Sequence, residues 1–129
     1  MEAEILLLQL AGELTALPPT DVIPAALRSL AGAYAPGSLL PRAMAQAWLQ
    51  SRDDKMAMLA LAWARERLRL ALEELLARTP VRGALPGSAE TRSWLILAAC
   101  EAMALEPPSA VPDRLRGLLE LTGYATDLA

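Results

Sequence analysis

Apolar residues recur along this chain in helical blocks separated by proline and glycine. The first block runs from Glu2 to Leu17 and stops at Pro18-Pro19. Glu2, Gln9 and Glu13 share one narrow strip, with leucines covering the rest. A second block begins at Thr20-Asp21, both good N-caps, with Pro24 in the first turn. Its stripe is Ile23, Leu27, Leu30 and Tyr34, the spacing of one helix face. Pro36-Gly37 closes it, and Ser38 opens a third block in which Met44 and Trp48 point one way and Arg42, Gln46 and Gln50 the other. Ser51-Arg52-Asp53-Asp54 reads as a capping sequence for a long fourth helix ending before Thr79-Pro80. Leu61, Leu68, Leu72 and Leu75 share one face of it, and its second half carries Glu66, Arg67, Glu73, Glu74 and Arg78 as a wet surface. Its first half, Met56 to Ala64, is apolar nearly all round. After a loop at Val81–Gly87, Ser88 caps a fifth helix that ends at Glu106-Pro107-Pro108. Pro112 opens a sixth, which Gly123 ends. The pattern predicts six helices near 2–17, 21–34, 39–51, 54–79, 88–105 and 112–122.

Composition sharpens this to an all-α fold. Leu and Ala supply 53 of 129 residues, whereas Val and Ile supply 6 and Phe none. Strands are starved of their preferred residues. The length suits one helical domain over 1–129, without internal repeats. Absent His excludes His-based triads, proton shuttles and His-ligated metals, and a single Cys excludes disulfide frameworks and thiolate cages. The expectation is therefore a binding or association protein: not an enzyme, with no cofactor and no metal. Cys100 lies in an apolar run and reads as a small core residue. The start, Met1-Glu2-Ala3-Glu4, lacks the basic charge of a signal peptide, and Trp94 to Leu105 is too short to span a bilayer. A cytoplasmic protein without membrane contact is expected.

Charge does not suggest a nucleic-acid surface. Residues 42–82 carry a local +3 within a chain of net charge -3, but Glu residues are interleaved. No basic recognition helix is present, so this chain alone is not expected to bind DNA. Asp53-Asp54 fits a helix cap better than a pair of catalytic carboxylates.

The fifth helix is the anomaly. Trp94, Leu95, Ile96, Leu97, Cys100, Met103 and Leu105 point in every direction, and a helix apolar all round must be covered all round. The sixth helix, with Leu115, Leu118, Leu119 and Thr122 inward, is too short to do this alone. A second copy of the same pair would close the surface as an intermolecular four-helix bundle. The expected homodimer seam comprises Trp94, Ala98, Glu101, Leu105, Leu115, Leu118, Leu119 and Thr122. Ala98, Ala99, Ala102 and Gly117 permit close helix approach. Glu101 requires a partner, either an Arg, within the chain or across the seam, or a pocket.

The run Arg65 to Arg78, then Val81-Arg82-Gly83-Ala84-Leu85-Pro86, then Trp94 to Leu105, resembles the C-terminal effector-binding and dimerisation domain of tetracycline-repressor-like (TetR) regulators. Ala47 to Asp54 resembles the family's helix-to-helix junction, and the likeness extends over about residues 21–124. It implies a fold like that domain, with helices one to four as pocket walls and five and six as the dimer-forming pair. It also implies a small apolar or amphipathic effector near Tyr34, Met44, Trp48, Met58, Leu61, Trp63 and Arg65. Core packing is the alternative for each apolar member, and a solvated or snorkelling guanidinium for Arg65. The family's N-terminal three-helix DNA-binding unit has no counterpart here, so DNA would be reached only through a unit outside this chain. A stand-alone helical homodimerisation module without a ligand is the other reading.

Overall fold

The computed structural model describes residues 1–80 and 85–124. Among these residues the chain is helical and contains no strand: α1 (Glu2–Thr15), α2 (Val22–Ala33), α3 (Leu39–Gln50), α4 (Lys55–Arg78), α5 (Ala89–Ala102) and α6 (Val111–Leu121). The segment Val81-Arg82-Gly83-Ala84, expected as loop and part of the family resemblance, lies outside the described residues.

Local chemistry sets the helix ends. Asp54 and Ser88 act as the N-caps expected of them. Asp54 Oδ1 accepts from Ala57 N at 3.1 Å and Ser88 Oγ from Thr91 N at 3.2 Å. Ser38 holds the N-cap position of α3, but its hydroxyl donates to the Gly32 carbonyl at 3.2 Å, tying α3 back to α2. Asp21 precedes α2 in a left-handed conformation, φ 54°, without a side-chain cap bond. The fifth helix stops three residues short of expectation as an α-helix and continues as a 3-10 turn, Met103–Leu105. Pro107 forces its predecessor Glu106 into extended backbone, ψ 156°, so the helix tightens and ends. A second 3-10 turn, Pro108–Ala110, leads into α6. Gly123 takes φ 87°, letting Tyr124 N and Gly123 N return to the carbonyls of Leu119 and Glu120, a Schellman cap.

Each helix contributes one stripe to a single core. Ala3, Leu7, Leu10 and Leu14 face inward from α1, and Ile23, Leu27, Leu30 and Tyr34 from α2. Leu61, Ala64, Leu68, Leu72, Leu75 and Leu76 face inward from α4, and Ile96, Leu97 and Cys100 from α5. Each fully buried leucine is worth about 1.5–3 kcal/mol relative to exposure. The most extensive packing is between α1 and α4, followed by α4 on α5, with α6 set against α2. The C-terminal ends of α1 and α4 lie together, with Thr15 and Leu17 beside Leu75 and Arg78, so these helices run in the same direction. α5 runs the opposite way along α4, bringing Arg65 to Glu101 and Arg69 to Ser93.

Candidate functional site

Met44 and Trp48 lie one turn apart on α3, and Met58, Leu61 and Arg65 recur at i, i+3 and i+7 on α4. Between the two helices these five side chains line a cleft of about 170 Å³, joined by Ser51 and Ala62. The lining is mostly apolar, with Ser51 and Arg65 as its polar groups, the usual composition of a small-molecule site. An apolar cavity of about 150 Å³ accommodates benzene, so this cleft has room for one ring or a short aliphatic chain.

The polar groups are partly committed. Ser51 donates its hydroxyl to the Ala47 carbonyl at 2.6 Å and keeps its oxygen lone pairs for a visiting donor. Arg65 makes a two-pronged pair with Glu101: Nε donates to Oε2 at 2.6 Å and Nη2 to Oε1 at 2.7 Å. This pair joins α4 to α5 and gives Glu101 its partner within the chain. The carboxylate raises the guanidinium's pKa further, fixing the charge. Arg65 Nη1 has no hydrogen bond among the described residues and could donate to a ligand.

Two of the expected pocket residues lie elsewhere. Trp63 follows Leu61 by two positions, about 200° around the helix. It stands on the outer side of α4, 58 % exposed, with the Arg67 guanidinium 6.0 Å from its ring centroid. Tyr34 is buried beside the Arg65–Glu101 pair and does not line the cleft. Burial, reinforced by the Glu101 charge, raises its phenol's pKa, and its hydroxyl has no hydrogen-bond partner among the described residues.

One turn further along α4, Arg69 is buried in a second polar cluster. It donates to Glu66, to Glu73 Oε1 at 2.8 Å and to Ser93 Oγ at 2.9 Å. Ser93 in turn donates its hydroxyl to the Glu90 carbonyl at 2.7 Å. Sequence reasoning missed this strap, although Ser93 is a polar residue on the inward face it shares with Ile96, Leu97 and Cys100.

The residues assigned to a dimer seam are spread over several environments. Leu119 is fully buried and Leu118 nearly so in the chain's own core, leaving little of either for a partner. Ala98, Glu101, Leu115 and Thr122 are half-buried, and Thr122 donates its hydroxyl to the Leu118 carbonyl at 2.9 Å. Trp94 and Leu105 are exposed, and Trp94 borders a shallow groove with Arg65, Arg69 and Glu90. The small residues Ala99, Ala102 and Gly117 line an open groove of about 480 Å³ between α5 and α6.

No group of His, Cys, Asp and Glu among the described residues is arranged to hold a metal. None of the described helices is long and apolar enough to cross a membrane. Comparison with family models, curated proteins and solved structures finds no match to this chain.

Proposed function

We propose that the protein is a ligand-binding helical module whose α3–α4 cleft receives a small apolar or amphipathic molecule, acting by binding rather than catalysis. The carrying observation is the convergence of Met44, Trp48, Met58, Leu61 and Arg65 on one cleft of about 170 Å³. Pliable methionines suit a ligand surface that must re-pack around its occupant. Arg65, held and charge-balanced by Glu101, presents a fixed donor with one nitrogen to spare. On the resemblance to TetR-like regulators, the occupant would be an effector. Its binding would shift α4, and α1, packed along α4, would carry that shift to a DNA-binding unit outside this chain.

The test uses 4-fluorotoluene, an uncharged single ring, followed by 19F NMR. Saturable line broadening with a dissociation constant below about 1 mM is expected. Ala62→Trp, at the rim of the cleft, should abolish it while leaving the helical circular dichroism intact. Absent saturation, or equal binding by the filled variant, would remove the cleft as the site. The uncovered outer face of α4 favours a second reading, a self-associating module.

A further inference from the structure

From Met56 to Ala64 the chain carries nine residues without a charge. Leu61 and Ala64 turn into the core, leaving a stripe of Met56, Leu59 and Trp63 on the opposite side of α4. Met56 is 74 % exposed and Leu59 and Trp63 each 58 %. Met58, 38 % exposed, links this stripe to Trp48, which borders the same cleft, and Leu49 beside it is 67 % exposed. Together these six side chains present on the order of 800 Å² of surface, more than a monomer ordinarily leaves in one apolar patch. No described helix covers this side of α4, which points away from the core that α1 and α5 share with it.

We infer that this face of α4, with Trp48 and Leu49, is where a second copy of the chain docks, the two α4 helices crossing antiparallel about a two-fold axis near Ala60. Two observations select this occupant. The first is area: a standard interface takes about 800 Å² from each partner, matching the exposed patch. The second is charge and register. An antiparallel pair with its two-fold axis between Leu59 and Ala60 sets Met56 against Trp63 of the other copy and brings Leu59 close to its own equivalent. The same register brings Arg67 of each copy towards the other's Asp53. Both are exposed, and neither has an ion pair among the described residues. A parallel pair would place Arg67 against Arg67, so the antiparallel arrangement is favoured. Copies docked this way would cover the outer edge of the α3–α4 cleft, where Trp48 and Met58 stand. The association does not depend on a ligand occupying that cleft.

Multi-angle light scattering and sedimentation equilibrium on the full chain test this inference. The wild type should show twice the 13.8 kDa chain mass at 100 µM. Leu59→Glu with Trp63→Glu alters only exposed positions and should weaken the dimer at least 100-fold while preserving helical circular dichroism. Arg67→Glu alone should weaken it about tenfold, and adding Asp53→Arg should restore it, a rescue that general loss of apolar surface would not produce. Leu105→Glu, on the exposed end of the α5 side, should leave the mass unchanged. A wild-type monomer at 100 µM would overturn the inference, as would a dimer that survives the Glu pair or fails after Leu105→Glu. A monomer that instead co-sediments with phosphatidylcholine–phosphatidylglycerol vesicles would also overturn it, assigning the face to a lipid surface. Fluorotoluene binding can be read separately in the monomeric Glu pair, so the cleft and the dimer stand or fall independently.

Discussion

The first half of α4 and α5 both carry apolar side chains around most of their circumference, yet the fold buries them very differently. α5 sends Ile96, Leu97 and Cys100 into the core, and Met103 follows in the turn beyond it. Its remaining large apolar side chains, Trp94, Leu95 and the terminal Leu105, stand exposed at two separate places along it. The first half of α4 commits Leu61 and Ala64 to the core and leaves Met56, Met58, Leu59 and Trp63 outside. An apolar circumference signals a partner only where the chain's own helices leave a continuous side of it bare. α5 lies between α4 and α2, whereas the start of α4 is packed on its core side alone.

The widest gap between the two segments should be in core truncation. Leu97 is fully buried, and Leu97→Ala removes its contacts and leaves a cavity, a change that costs about 3–5 kcal/mol in comparable cores. Leu59→Ala removes the same atoms from an exposed site and should stay within about 0.5 kcal/mol. Urea unfolding of both, in a Trp63→Glu background at a concentration where light scattering finds it monomeric, makes the comparison. A loss above about 2 kcal/mol for Leu59→Ala would show that the chain itself covers the start of α4.

A smaller difference should appear at alkaline pH. Burial pushes the Cys100 thiol up to about 12, from an ordinary value near 9. The unfolded chain releases this proton first, so the contribution is complete below pH 9 and is lost as pH rises towards 12. Stability should fall by on the order of 2 kcal/mol between pH 8 and 10.5. Cys100→Ala should remove much of that fall, while the buried Tyr34 phenol sustains the part that begins above pH 10. The native thiol should also resist alkylation at pH 8. Met56 to Ala64 contains no titratable side chain, so substitutions there should leave the pH slope unchanged.

The helices themselves were legible in the sequence because their ends are written in local chemistry. Prolines, the Asp54 and Ser88 caps and Gly123 act within a few residues of where they stand, and the six expected spans differ from the observed ones by at most three residues. The cleft was partly legible for a similar reason. Met58, Leu61 and Arg65 share a helix face by spacing alone, and the same spacing adds Ala62 and excludes Trp63, a signal the aromatic character of Trp63 obscured. The pairing of Arg65 with Glu101, 36 positions apart, could not be read this way. It depends on α5 running antiparallel to α4, which no local pattern specifies. Nor could the packing of Leu119, which an amphipathic stripe places inward without saying whether the facing surface belongs to the same chain or another.

The smallest expected effect concerns how each segment is held at its start. Asp54 accepts from Ala57 N and Ser88 from Thr91 N, so both helices carry an equivalent cap worth about 1 kcal/mol. α5 also has Glu90 in its first turn, favourable against the helix dipole, and buries Ser93 within its second turn. α4 has no acidic residue in its first turn, begins with Lys55, and buries nothing before Leu61. Asp54→Ala and Ser88→Ala should therefore cost similar free energies, about 1 kcal/mol or less, but differ in where the loss appears. In the Trp63→Glu background, hydrogen exchange after Asp54→Ala should quicken at residues 58–61, as the uncovered turns fray below the threshold for global unfolding. After Ser88→Ala, protection in the matching turns of α5 should drop only with global stability, because Ile96, Leu97 and Ser93 hold that helix from inside. Equal local exchange in the two variants would mean that packing secures the start of α4 as firmly as that of α5. The outer face of α4 would then need no second copy to hold it in place.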